Sequence, residues 1–217
     1  MGEAEWAFGR AQHFAEKGMV AVAAEYRLSS PGKTTPVEAM ADARAVIGWM
    51  RLMADSLGID PRRVAAYGWS AGAHLAASAA VFIDSVADIK FSTVPDALIL
   101  VSPAVHLESD GFVSELLGPR MPVSSISPAS HVRKGMPPAL ILIGETDTVT
   151  PLAGARLFHK RMRDAGNVCE LKVYPGVGHL FTPSSIPDDG WPQPDSKVQA
   201  DALNAADQFL SALGFVR

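Results

Sequence analysis

Short, unbroken apolar runs recur along the chain, each separated from the next by an amphipathic stretch. The runs lie at 19–26, 64–68, 97–101, 139–143 and 170–174. They do not alternate with polar residues, which marks strands buried on both faces, as in a parallel sheet. Residues 3–17 carry Trp6, Phe8, Ala11, Phe14 and Ala15 at helical spacing and stop at Lys17-Gly18. Thr35-Pro36 opens an amphipathic helix through about residue 57, and Gly58-Ile59-Asp60-Pro61 turns the chain toward the next apolar run. Helices are predicted from residue 70 to about Ile83, over 152–165 and over 196–213. Loops are predicted at Ser29-Ser30-Pro31-Gly32, over 103–138 with a short apolar patch at 112–117, and over the proline-rich stretch 182–195. The alternation predicts an α/β fold: a doubly wound parallel sheet of about five strands flanked by helices, in one domain spanning 1–217.

Composition narrows the function classes. Hydrophobic residues make up 48% of the chain and charged residues 19%, the balance of a globular protein. A formal net charge of −4 argues against a nucleic-acid partner and supplies no basic patch for a membrane surface. The opening Met1-Gly2-Glu3-Ala4-Glu5 is acidic and no apolar stretch follows it, so no secretory leader is expected and a cytoplasmic setting is the default. Cys169 is the lone cysteine, which excludes an internal disulfide and a cysteine-based zinc site.

In parallel sheets ligands collect beyond the carboxyl ends of the strands, so the residues just after each run carry the most information. Three of these places hold complementary chemistry. Gly68-Trp69-Ser70-Ala71-Gly72 follows the run at 64–68 and has the G-x-S-x-G pattern at a strand-to-helix junction. Such a tight turn is expected to leave no room for a Cβ at Gly68 or Gly72, and to raise the Ser70 hydroxyl above the strand end. Asp147 follows the run at 139–143, and His179 follows the run at 170–174 in Gly178-His179-Leu180-Phe181. A serine, an acid and a histidine on three strand ends are the parts of a nucleophilic hydrolase: Ser70 attacks, His179 carries its proton, and Asp147 orients the imidazole. The Ala71 N–H, at the helix start, is expected to be one oxyanion-hole donor.

The chain resembles the α/β-hydrolase superfamily, whose triad runs in the order Ser, Asp or Glu, His. Within it the likeness is to esterases and lipases related to hormone-sensitive lipase and to bacterial acetyl and feruloyl esterases. It is carried by Glu25-Tyr26-Arg27-Leu28, Gly58-Ile59-Asp60-Pro61, Ser70-Ala71-Gly72-Ala73-His74-Leu75-Ala76, the stretch 144–151 and Gly178-His179. The resemblance implies hydrolysis of a short-chain or aryl carboxylic ester through an acyl-Ser70 intermediate, with no cofactor. Such enzymes carry a His-Gly-Gly loop that supplies half of the oxyanion hole, and the strand before it lies between the two runs found here at 19–26 and 64–68. This sequence begins about where that loop ends. The expectation is therefore direct parallel pairing of 20–25 with 64–68, self-association as a homodimer through the remaining open edge, and weak activity.

Blander roles compete at several positions. Asp147 also suits a loop cap, and Glu145 is a second acid near the same strand end. His74 is expected to be structural, as are Tyr26 and Arg27 at a strand end. His13, His106, His131 and His159 have no partner at metal-ligand spacing, so no metal is expected. Trp69 and Phe181 are candidates for substrate contact, with core roles as the alternative. Phe112, Leu116 and Leu117 form either a small lid or a packing helix. For the whole chain the alternatives are a non-catalytic binding module lacking a complete oxyanion hole, or an acyltransferase or peptidase using the same triad.

Overall fold

Four of the five apolar runs form strands. The computed structural model describes residues 3–30, 33–82, 91–108, 110–188 and 190–216; the predicted loop residues Pro31 and Gly32, the predicted helix end at Ile83, and Asp189 of the proline-rich loop lie outside them. The strands are β1 (Ala65–Trp69), β2 (Ala97–Val101), β3 (Ala139–Gly144) and β4 (Cys169–Tyr174). All pairs are parallel and the spatial order is β1-β2-β3-β4. The helices are α1 (Phe8–Glu16), α2 (Pro36–Leu52), α3 (Ala54–Leu57), α4 (Ala71–Val81), α5 (Gly111–Leu117), α6 (Leu152–Asp164) and α7 (Ser196–Ala212). The predicted helix over 36–57 is divided at Met53. The apolar patch at 112–117 is the helix α5. Among the described residues no helix is long and apolar enough to cross a membrane.

A sheet whose strands follow sequence order, joined by right-handed crossovers, places its connecting helices on one face. Here α4 and α6 cover Leu98, Leu100, Ile141 and Ile143 with Ala73, Ala77, Ala80, Phe158 and Met162. The other side chains of the same strands, Ile99, Val101, Leu140 and Leu142, meet Phe14 of α1 and Ala206, Phe209 and Leu210 of α7. Every residue of β2 and β3 is thereby buried, which is why these runs carry no polar alternation.

The run at 19–26 is a correction. It forms no strand and does not pair with β1, so the sheet has four strands and β1 is its edge. Its residues still alternate, with Met19, Ala21 and Ala23 half-buried and Val20, Val22 and Ala24 exposed. Between it and β1 lies a cavity of about 380 Å³ lined by residues of both segments. The Ser70 N–H bonds the Val101 carbonyl at 2.9 Å. Strand alternation therefore turns the backbone groups of Ala65, Tyr67 and Trp69 away from β2 and into this space. The segment is anchored instead at its carboxyl end: Arg27 forks onto the Asp42 carboxylate of α2 at 2.7–3.1 Å and donates to the Glu38 carbonyl at 3.2 Å. Tyr26 packs with Met40 and Leu75 and also lines the cavity that holds Ser70; the strand end that it and Arg27 were expected to anchor does not form.

Two buried polar groups fix the approach to β1 and the helix that leaves it. Arg51, only 6% exposed, donates to the carbonyls of Pro61, Ser92 and Val94 at 2.6–2.7 Å and to Asp96 Oδ2 at 2.6 Å, and the same oxygen accepts the Val64 N–H. One guanidinium thus ties α2 to the entrances of both β1 and β2. Arg51→Met is expected to destabilise the fold by about 3 kcal/mol, because it leaves a carboxylate and three carbonyls without their donor. For a chain of this size that is a fall of about 6–12 °C in a thermal melt.

His74 of α4 is structural, as expected: buried, with Nε2 donating to the Ile126 carbonyl at 2.8 Å. Burial pushes its imidazole below the ordinary value of 6.5, against smaller opposing contributions from the Ile126 bond and the Asp110 charge. Above that value the folded and unfolded chains both hold His74 neutral. As pH falls through it, the unfolded chain takes up a proton that the fold resists, and stability is lost. The thermal midpoint is expected to drop between about pH 8 and about pH 5, and His74→Gln, which keeps an amide donor for Ile126, to remove part of that drop.

Candidate active site

The turn after β1 is built around a backbone collision that only glycine avoids. A Cβ at Gly68 would lie 2.3–2.6 Å from Gly72 O, Gly72 C and Ala73 N, so the first turn of α4 rests directly on the strand end. Gly72 departs from expectation, since a Cβ there meets nothing within 4 Å and would face open space. Between them Ser70 takes φ 51° and ψ −120°, a conformation costly for a residue with a side chain. A serine at the start of a helix ordinarily bonds the first-turn amides with its hydroxyl. Here the Ser70 hydroxyl makes no such cap. It donates instead to His179 Nε2 at 3.0 Å.

The structure brings all three strand-end residues together. His179 Nδ1 lies 3.0 and 3.1 Å from the two oxygens of the buried Asp147 carboxylate. With Nδ1–H donating to the acid, Nε2 is left as the acceptor for the Ser70 hydroxyl. Asp147 also serves as the loop cap considered for it: Oδ1 accepts the N–H groups of Val149 and Thr150 at 3.1 and 2.7 Å. The two roles coexist, because the amides hold the carboxylate still while its face meets the imidazole. Glu145 is exposed and takes no part.

Three further residues hold this arrangement. Asp188 spans both loops: Oδ2 accepts the Thr148 N–H at 2.9 Å and its hydroxyl at 3.0 Å, while Oδ1 accepts the His179 N–H at 2.9 Å. A Cβ at Gly178 would strike this carboxylate at 2.5–2.9 Å, so the glycine before His179 makes room for it. The Thr148 and His179 hydrogen bonds hold the Asp188 carboxyl below the usual range against the opposing effect of desolvation, and the nearby His179 acts in the same sense. Thr150 Oγ1 lies 2.9 Å from Asp147 Oδ2 and 3.3 Å from His179 Nδ1. Ser102, at the end of β2 with φ 43°, accepts the Leu180 N–H on its hydroxyl at 3.1 Å. The proline-rich loop gives no periodic signal for Asp188, and only its partnership with two distant backbone amides reveals it.

The remaining candidates divide. Trp69 lines the cavity that holds Ser70, Ala71 and Gly72, and Leu180 borders the same space. Phe181 is 3% exposed, packs on Tyr174 with ring centroids 5.1 Å apart, and lies away from that cavity. In α5, Leu116 and Leu117 are buried, with Leu117 packing against Met40 and Leu75, while Phe112 points to solvent. The described part of this segment is a packing helix. Burial pushes the Cys169 thiol up to about 12, so it holds no thiolate nucleophile. Among the described residues no three metal-ligating side chains gather.

Comparison with known proteins agrees with this geometry. Residues 3–162 match the model of the BD-FAE family. The chain is 29% identical over 199 residues to esterase LipQ of Mycobacterium tuberculosis, covering 83% of this chain and 47% of that protein. It is 28% identical over 182 residues to an acetylxylan esterase of Xylanibacter ruminicola, covering 76% of this chain and 35% of that protein. It thus spans less than half the length of either relative. The apo form of Thermogutta terrifontis esterase 2 superposes with a TM-score of 0.86 at 33% identity, over all of this chain and 80% of that one. The chain belongs to the BD-FAE family and has the α/β-hydrolase fold of its esterase neighbours.

Proposed function

We propose that the protein hydrolyses short-chain or aryl carboxylic esters through an acyl-Ser70 intermediate. The observation that carries this reading is the unbroken hydrogen-bonded line from the Ser70 hydroxyl through His179 to Asp147, seated at the carboxyl ends of β1, β4 and β3. His179 Nε2 takes the serine proton as Oγ attacks the ester carbonyl, and returns it to the departing alcohol. Asp147 stabilises the imidazolium that forms between the two transfers. The Ala71 N–H, at the amino end of α4, faces the charge that develops on the carbonyl oxygen. Water activated by the same imidazole then releases the acid and restores the hydroxyl.

The comparisons support a small acyl group. One solved form of the Thermogutta esterase is described as propionate bound and another as butyrate bound, and others as modified by organophosphorus agents. Trp69, Leu180 and the small residues Ala71 and Gly72 bound the space beside Ser70, which suits a short acyl chain.

Wild-type protein is expected to release p-nitrophenol from its acetate and butyrate esters and to be labelled on Ser70 by an organophosphonate. Ser70→Ala is expected to lose both, with turnover down by about 10³-fold or more. A folded wild-type sample that shows neither turnover nor labelling sinks the reading in favour of a binding module. Asp188→Asn removes an anionic acceptor that holds two loop amides and loosens the alignment of His179 with Ser70. It is expected to lower kcat about 10- to 100-fold with little change in KM for p-nitrophenyl acetate.

A further inference from the structure

A second cavity, of about 530 Å³, adjoins the one that holds Ser70 and shares four of its walls, Trp6, Tyr67, Trp69 and Leu180. Its size falls within the range of small-molecule sites. Aromatic residues dominate its lining, with Trp6, Tyr67, Trp69 and Trp191 on it and the core residue Phe181 at its edge. Trp6 and Trp191 meet edge to face with centroids 5.6 Å apart, yet stay 43% and 67% exposed. Two indoles left so open at one mouth retain apolar area that a ligand would cover. The charge inside is of one sign. Arg10 is half-buried, with its guanidinium 5.4 Å from the centroid of the Trp69 ring and beside the Tyr67 hydroxyl. Among the described residues no acidic side chain lines the cavity and none forms an ion pair with Arg10.

We propose that this cavity binds a small aromatic carboxylate, with the ring against the exposed indole surface of Trp6 and Trp191 and the carboxylate on Arg10. Arg10 turns part of its guanidinium to the Tyr67 hydroxyl, and the remaining N–H groups of its fork can meet a planar anion, which favours a carboxylate over a neutral group. The protein is negative overall, so attraction of an anion here belongs to Arg10 and not to a general field. Gln199, on the same lining, offers an amide as a second donor. The site goes beyond ester hydrolysis and does not depend on it, since Ser70 is not among its walls.

Calorimetric titration with benzoate, and with benzamide as its neutral counterpart, tests the proposal. Wild-type protein and Ser70→Ala are both expected to bind benzoate saturably below about 10 mM, with benzamide about tenfold weaker or worse. Arg10→Met is expected to lose about tenfold or more of the benzoate affinity, and Arg10→Lys to keep part of it. Equal binding of benzoate and benzamide, unchanged affinity in folded Arg10→Met, or no saturable heat in wild type overturns the assignment. If Arg10→Met fails to fold, the benzoate–benzamide contrast on wild type decides alone. Saturating benzoate that leaves p-nitrophenyl acetate hydrolysis uninhibited separates this site from the ester-hydrolysing one, and competitive inhibition places benzoate at Ser70 instead and overturns the assignment.

Discussion

The near-contact of Gly68 with Gly72 and Ala73 is the constraint on which the site depends. It lets α4 begin within a single residue of the end of β1, and that one residue is Ser70. Any side chain at position 68 would push the helix away and relax the unusual dihedral angles of the serine. Those angles turn its hydroxyl out of the capping position and toward His179. The strain is tolerated because the surrounding structure is over-determined: the Ser70 N–H continues the sheet ladder, and the Ser70 carbonyl accepts from Ala73 and His74 at 3.1 Å each.

Much of this is legible in the chain itself. Unbroken apolar runs betray strands covered on both faces, and β2 and β3 meet that description residue by residue. The same signal misleads at 19–26, because an apolar run states only that its side chains are covered. It does not state that its backbone groups find a ladder partner, and here the neighbouring strand edge lies across a cavity. Gly72 misleads for a related reason: a motif glycine reads as a close approach of backbone, but here the space beside it is open.

The residues that steady the site are illegible because their partners are remote. Asp188 acts on amides 40 and 9 residues away, and nothing near it in the chain advertises that role. Thr150 is visible only as a neighbour of Asp147. Its hydroxyl lies close to the acid, the imidazole and the Ser102 carbonyl at once. Phe181 stands almost beside His179 in the chain, yet its left-handed backbone turns the ring into the core. Adjacency in sequence to a reacting residue is a poor guide once a tight turn intervenes.

The two faces of the sheet differ in how they are completed. The face under α4 and α6 is covered by helices that lie between the strands in the chain, so each crossover brings its own cover. The opposite face is covered by α1 and α7, drawn from the two ends and tied together where His13 and Lys17 meet Asp207 at 2.9 and 3.0 Å. During synthesis, then, Ile99, Leu140 and Leu142 have only α1 to cover them on that side until α7 has left the ribosome. All four strands precede α7 in the chain, and the interval before it emerges is when this face of the nascent sheet is most exposed to misassociation.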